Sequence, residues 1–204
     1  MHEQAKNFTL FVKSILPEYF QNKNVLDVGS GDINGNNRYL FEDGSYEGND
    51  VIQATNVTIV SKTKDLPFGK HHFDTIISTE CFEHDPEYKE SLNKIYDMLK
   101  PNGLFLFTCA STDRPEHGTR RTSPSDSYGT IGELSDMVDY YKNLTIKDVD
   151  EALKVKNLFS VWNSYYNIQT RDLYFLGVKI GSNSGSIKLS EYTGVGVTNT
   201  SVDV

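Results

Sequence analysis

The sequence predicts an α/β fold, a doubly wound and mostly parallel sheet with helices on both faces. Three observations carry this reading. Short apolar or β-branched runs alternate with helix-period segments over the first half of the chain. The first such run, Asn24-Val25-Leu26-Asp27-Val28, passes directly into Gly29-Ser30-Gly31, the opening of a β–loop–α unit. Leu104-Phe105-Leu106-Phe107 is apolar without interruption, the pattern of a strand buried on both faces.

The elements follow in order. Ala5, Phe8, Leu10, Phe11, Ile15 and Leu16 form a helical stripe over 3–16, which Pro17 ends. After the strand at 24–28, residues 34–41 are expected to form a helix, with Gly44 as its left-handed stop. Residues 45–50, 56–60 and 73–78 read as strands. The strongest helix spans 87–99, with Tyr88, Leu92, Ile95, Tyr96 and Leu99 on one side and Pro101-Asn102-Gly103 after it. Residues 111–130 are polar and rich in Ser, Thr, Gly and Pro, and predict a long loop. A short helix is expected at 145–155, where Thr145 and Asp148 fit an acidic capping box. Two aromatic-rich runs, 158–166 and 172–180, flank a short connection and suggest an antiparallel hairpin.

Length and charge bound the function. The 204 residues suit one domain, expected over 1–180, with 111–157 as a loop-and-helix insertion on the substrate side and 181–204 as a polar tail. The tail would need pinning, for example by a second subunit in a homo-oligomer. A net charge of -8 argues against nucleic acid and against an anionic membrane surface. No apolar stretch approaches a membrane span, and no secretory leader is evident at the start, so a cytoplasmic protein is expected. On that reading the sequons at Asn7, Asn56 and Asn143 are chance. Cys81 and Cys109 form no Cys-x-x-Cys pair, and no metal-ligand cluster stands out, so metal-independent chemistry is expected.

Asp27-Val28-Gly29-Ser30-Gly31 is the most informative segment. A dinucleotide fingerprint wants its third glycine at position 34, which is Asn34. Asp27, two residues before Gly29, would repel a pyrophosphate but suits a ligand carrying ammonium and sulfonium groups. Asp50, 21 residues after Gly29, is placed to accept from ribose hydroxyls. A nicotinamide-dependent oxidoreductase is thus disfavoured.

At these residues the chain resembles the class I S-adenosylmethionine (SAM) dependent methyltransferases, in particular the type 11 methyltransferase domain. The likeness rests on 25–31, Tyr46-Glu47-Gly48-Asn49-Asp50, Asp65-Leu66-Pro67-Phe68, 73–78, Glu83-His84 and Leu99-Lys100-Pro101-Asn102-Gly103-Leu104. It implies a seven-stranded sheet of order 3-2-1-4-5-7-6, its last strand antiparallel. It implies SAM as cofactor, with Asp27, Gly29, Ser30 and Gly31 toward the methionine end, Asp50 at the ribose, Val51 on the adenine, Asp65 and Leu66 at the adenine edge, and Thr79 near the sulfur. Relatives often carry an acid at the position of Lys62, which cannot accept from the adenine amino group.

Candidates for chemistry follow the strands. His84 lies after the fourth strand, at the ligand edge of an open α/β sheet, as a general base or as a structural histidine. His117 lies in Arg114-Pro115-Glu116-His117-Gly118-Thr119-Arg120-Arg121, after the fifth strand. Arg114, Glu116, Arg120 and Arg121 are candidate contacts to a polar or anionic acceptor. Tyr140, Tyr141, Trp162, Tyr165 and Tyr166 are pocket-lining or core aromatics. The expected activity is methyl transfer to a hydroxyl or carboxyl of a small molecule or glycan; the alternative is a non-catalytic SAM-binding module.

Overall fold

The structure, a computed structural model, describes residues 2–182 and 187–204. One sheet organises them. Its strands are β1 (Asn24–Val28), β2 (Ser45–Asp50), β3 (Ile59–Val60), β4 (Phe73–Thr79), β5 (Leu99–Ala110), β6 (Phe159–Asn167), β7 (Asp172–Lys179) and β8 (Val197–Asn199). Their spatial order is β3-β2-β1-β4-β5-β7-β6-β8. β1 to β5 pair in parallel, whereas β7 runs antiparallel to β5 and β6 antiparallel to β7. This is the expected order with one strand added at the β6 edge.

Alternation along the strands builds two cores, because successive side chains point to opposite faces. On one face Leu26, Ile76, Phe105, Phe107 and Phe175 pack against Leu92 and Ile95 of helix α2 (Tyr88–Met98). Val149 and Leu153 of helix α4 (Ile146–Leu153) join them there. On the other face Val25, Ile77, Leu104, Leu106 and Leu176 meet Phe8 and Val12 of helix α1 (Glu3–Ile15). Phe8 stacks on Tyr174 with ring centroids 4.9 Å apart. The capping box forms as the sequence predicts, with Asp148 accepting from the Thr145 backbone N–H at 2.8 Å.

Two sequence expectations are corrected. The segment 34–41 is not an α-helix; it is an irregular loop that ends in one 3₁₀ turn, Arg38–Leu40. Local side-chain bonds compete with the helix: Asp32 accepts from Gly35 N–H and from Asn36 Nδ2, both at 2.7 Å, and Gly35 sits at φ +99°. No helix N-terminus therefore stands behind the glycine turn. Gly44 is not the left-handed residue either; Asp43 is, at φ +48°. Gly44 serves close packing, since a Cβ there would run into the Lys23 carbonyl.

The tail is pinned by its own chain. β8 pairs with β6, and the Tyr192 ring packs against Phe8, Phe11, Tyr165 and Tyr174. Its order needs no neighbouring subunit.

Candidate active site

The parallel strands end together. Val28 is level with Asn49 of β2 and Ser78 of β4, so Asp27, Asp50 and Thr79 share one edge of the sheet. A cleft of about 470 Å³ opens there. Gly29 turns the chain at φ +69°, and a Cβ on it would lie 2.5 Å from Cys81 Sγ. Only glycine lets the turn lie against the β4 end. Gly31 is covered by the Tyr128 ring, which belongs to the short helix α3 (Tyr128–Ile131). Lys62, paired to Glu87 at 2.8 Å and to Asp136, ties this covering segment to the end of β3.

Asp27 is fully buried at the inner wall. Asn37 Nδ2 donates to it at 3.0 Å and to Thr79 Oγ1 at 3.1 Å, and Tyr46 O–H donates to its other oxygen. Burial outweighs these donors and pushes its carboxyl up to about 6. Asp50 accepts from Gly31 N–H at 2.9 Å and Val51 N–H at 2.7 Å. Burial raises its pKa too, the same two donors opposing the shift. Two desolvated carboxyls thus face one cleft, and a ligand bearing an ammonium and hydroxyls would satisfy both. The Asn37 Oδ1 is also buried and finds no partner among the described residues, one more acceptor on the same wall.

Beyond Cys81 the cleft reaches His84, His117 and Arg114. The two imidazoles meet edge to face with centroids 5.0 Å apart, and Tyr141 packs on both. Burial, with His117 adding to it, lowers the His84 pKa to about 3, so its ring is neutral near pH 7. Glu83 lies under them, fully buried, and burial drives its pKa well up. Arg114 is oriented by the Thr170 carbonyl and by Asp172 at 3.5 Å.

The structure brings together Asp27, Gly29, Ser30, Gly31, Asp50, Val51, Thr79, His84, Arg114 and His117 as lining residues of this cleft. Five others are not among its lining residues. Leu66 is a core residue, and Asp65 turns outward to Lys64 at 3.3 Å; Ser61, Lys62 and Thr63 line the wall in their place. Glu116, Arg120 and Arg121 do not reach the cleft. They are bound up with Asp139 and with each other in a surface ion-pair network, because those neighbours neutralise them locally. Of the aromatics, Tyr141 is at the histidines, whereas Trp162 packs on Phe175 and Tyr165 is in the core.

Sequence reasoning missed His2, Asn37, Tyr46, Glu80, Glu83, Tyr128 and Asp172. His2 caps α1 and pairs with Asp172 at 2.7 Å and Glu80 at 3.5 Å, anchoring the first helix over the cleft. Nor do spacings disclose the clusters Glu83, His84, His117 and His2, Glu80, Asp172, whose ligand-type atoms converge within 4.8 Å. The sequence showed no metal-ligand cluster; the fold assembles these groups among the described residues. Distant loops form them, and only the Glu83-His84 adjacency was visible beforehand.

Comparison with known proteins bears on the fold and on the segment around the glycine turn. A family model described as a methyltransferase domain matches residues 26–107. Among curated proteins the chain is similar to malonyl-[acyl-carrier protein] O-methyltransferase 1 of Coxiella burnetii. The two are 25% identical over 130 residues, covering 63% of this chain and 45% of the relative. The chain thus spans less than half the length of that relative. Among solved structures it resembles a Burkholderia thailandensis 1,6-didemethyltoxoflavin-N1-methyltransferase, with TM-score 0.59, 15% identity, and coverage of 87% and 80% of the two chains. It also resembles a SAM-dependent methyltransferase of Aquifex aeolicus, with TM-score 0.54, 15% identity, and coverage of 88% and 100%. Residues 26–107 thus match a methyltransferase domain, and the chain shares the fold of solved SAM-dependent methyltransferases.

Proposed function

We propose that the protein transfers a methyl group from SAM to a hydroxyl or carboxyl oxygen of a small molecule or glycan, in a cytoplasmic setting. The observation that carries this reading is one cleft with two desolvated carboxyls, Asp27 and Asp50, at one end and two imidazoles, His84 and His117, at the other. The name of the Coxiella relative, an O-methyltransferase, favours an oxygen acceptor. Two free cysteines, Cys81 and Cys109, suit a reducing compartment.

SAM supplies a methyl group on a sulfonium, open to in-line attack by a nucleophile. The chain's own residues do the rest. Asp27, steadied by Asn37 and Tyr46, takes the ammonium end. Asp50 accepts from the ribose hydroxyls, while Gly31 and Val51 hold its carboxylate in place. Ser30 and Thr79 complete the wall, and Val51 faces the adenine. With Lys62 committed to Glu87 and Asp136, backbone carbonyls of 61–63 are left to accept from the adenine amino group. Tyr128 and the segment around it exclude water over the glycine turn. Arg114 orients a polar acceptor. His84 and His117 take its proton, and neutral His84 has its lone pair available at pH 7.

Incubation with methyl-labelled SAM and panels of hydroxyl, carboxyl and amine acceptors tests this. Transfer to an oxygen acceptor, with a raised SAM requirement in Asp50→Ala, is the expected result. Tight SAM binding with no transfer to any class would favour a non-catalytic SAM-binding module.

A further inference from the structure

Glu83, His84 and His117 meet at the inner end of the cleft. One ligand-type atom from each lies within 4.8 Å of the other two. Glu83 is fully buried, and no described group meets either of its oxygens with good hydrogen-bond geometry; the backbone N–H groups of Glu83 and Ala110 are the donors near it. Its ion-pair contact there is with His117 Nε2, 3.9 Å from Oε1. A buried carboxyl is costly to ionise alone, and a cation bound beside it would stabilise its charged form. Among the described residues His84 Nδ1 is buried without a partner as well.

The surroundings hold these groups in place. His117 Nδ1 lies 3.2 Å from the Pro115 carbonyl, which can only accept, and Nε2 faces Glu83. Metal-bound histidines characteristically show this outer hydrogen bond. Tyr141 O–H donates to the same carbonyl at 3.2 Å. The Glu83 backbone is pinned by Lys142 N–H donating to its carbonyl at 2.9 Å. Gly118, at φ +70°, brings the His117 loop down on His84; a Cβ there would lie 2.5 Å from the His84 ring.

We propose that Glu83, His84 and His117 bind one divalent transition-metal ion, with Zn²⁺ the best match to two imidazoles and a carboxylate. Ligand atoms on one such ion lie roughly 3–4 Å apart, so the 3.9 Å between Glu83 and His117 closes with little movement. His84 and His117 line the cleft, so the remaining coordination positions face it. An acceptor oxygen bound there would lose its proton near neutral pH. In that case the imidazoles act on the acceptor through the ion rather than as free bases. That role rests on the proposed reaction; metal binding itself does not.

The test uses tag-free full-length protein, stripped with chelator and dialysed against Zn²⁺ or the spectroscopic probe Co²⁺. Elemental analysis and chelator competition should give one tightly held ion per chain, and Co²⁺ should show the intense visible bands of a low-coordinate site. Glu83→Gln and His117→Ala should each weaken binding by at least about 10–100-fold. His117 is on a loop, so its removal leaves the core intact, as circular dichroism should confirm. His2→Ala, at the second cluster, should retain the ion. No stoichiometric binding by the wild type, or binding unaffected by Glu83→Gln and His117→Ala, would overturn the proposal. SAM affinity of the stripped protein, measured alongside, reports on the methyltransferase reading separately.

Discussion

Acidification through about pH 6 is expected to weaken SAM binding, with Asp27 setting the midpoint. Its carboxyl is pushed up to about 6 by complete burial, which the Tyr46 and Asn37 donors only partly offset. An ammonium group binds the carboxylate and not the acid, so the bound state holds a lower pKa than the free one. Below pH 6 the complex must release a proton to form. Affinity then falls about tenfold per pH unit, so about tenfold between the plateau above pH 7 and pH 5. Calorimetry with S-adenosylhomocysteine, in buffers of different ionisation heat, reads both the affinity and the released proton. Tyr46→Phe removes a donor that stabilises the carboxylate, and should move the midpoint to higher pH. Asp27→Asn should give a flat profile at reduced affinity. A wild-type affinity that is level from about pH 5 to 8 would refute the reasoning, as would a pH dependence that survives in Asp27→Asn.

Asp50→Ala should weaken S-adenosylhomocysteine binding by about 1–3 kcal/mol, roughly 5–150-fold, through lost ribose hydrogen bonds; calorimetry measures it. Gly31→Ala should also cost affinity, because its Cβ displaces the Tyr128 ring and presses the Asp50 carboxylate at 2.8 Å. His2 is held at about 10, because Asp172 and Glu80 outweigh the opposing effect of burial. Its pairing therefore contributes stability below the unfolded value of 6.5 and loses it as pH rises through about 10. His2→Ala should lower the melting temperature near pH 7, and the difference from wild type should shrink above pH 10. Thr145→Ala should cost about 1 kcal/mol in urea unfolding by opening the α4 capping box.

The strands were legible because burial writes itself into composition. Leu104 to Phe107 pack alternately on both faces, and a strand with two cores must be apolar throughout. The capping box was legible because both of its partners lie within one turn. The helix expected at 34–41 was not, because Asp32 satisfies the backbone it would have needed and frees Asn37 to bind Asp27. The arginines of the 114–121 loop looked alike in sequence, yet only Arg114 faces the cleft. Asp139, far along the chain, claims Arg120 and Arg121.

The sequence by itself determined the parallel sheet, the glycine turn and the acids Asp27 and Asp50, since each depends on residues next to one another or on a strand's own periodicity. The tertiary structure alone decided what surrounds them. It set His2 against Glu80 and Asp172, laid Tyr128 over Gly31, and sank Glu83 beneath two histidines from different loops. Such contacts depend on where separate segments converge, and on the burial that follows, which no local pattern records.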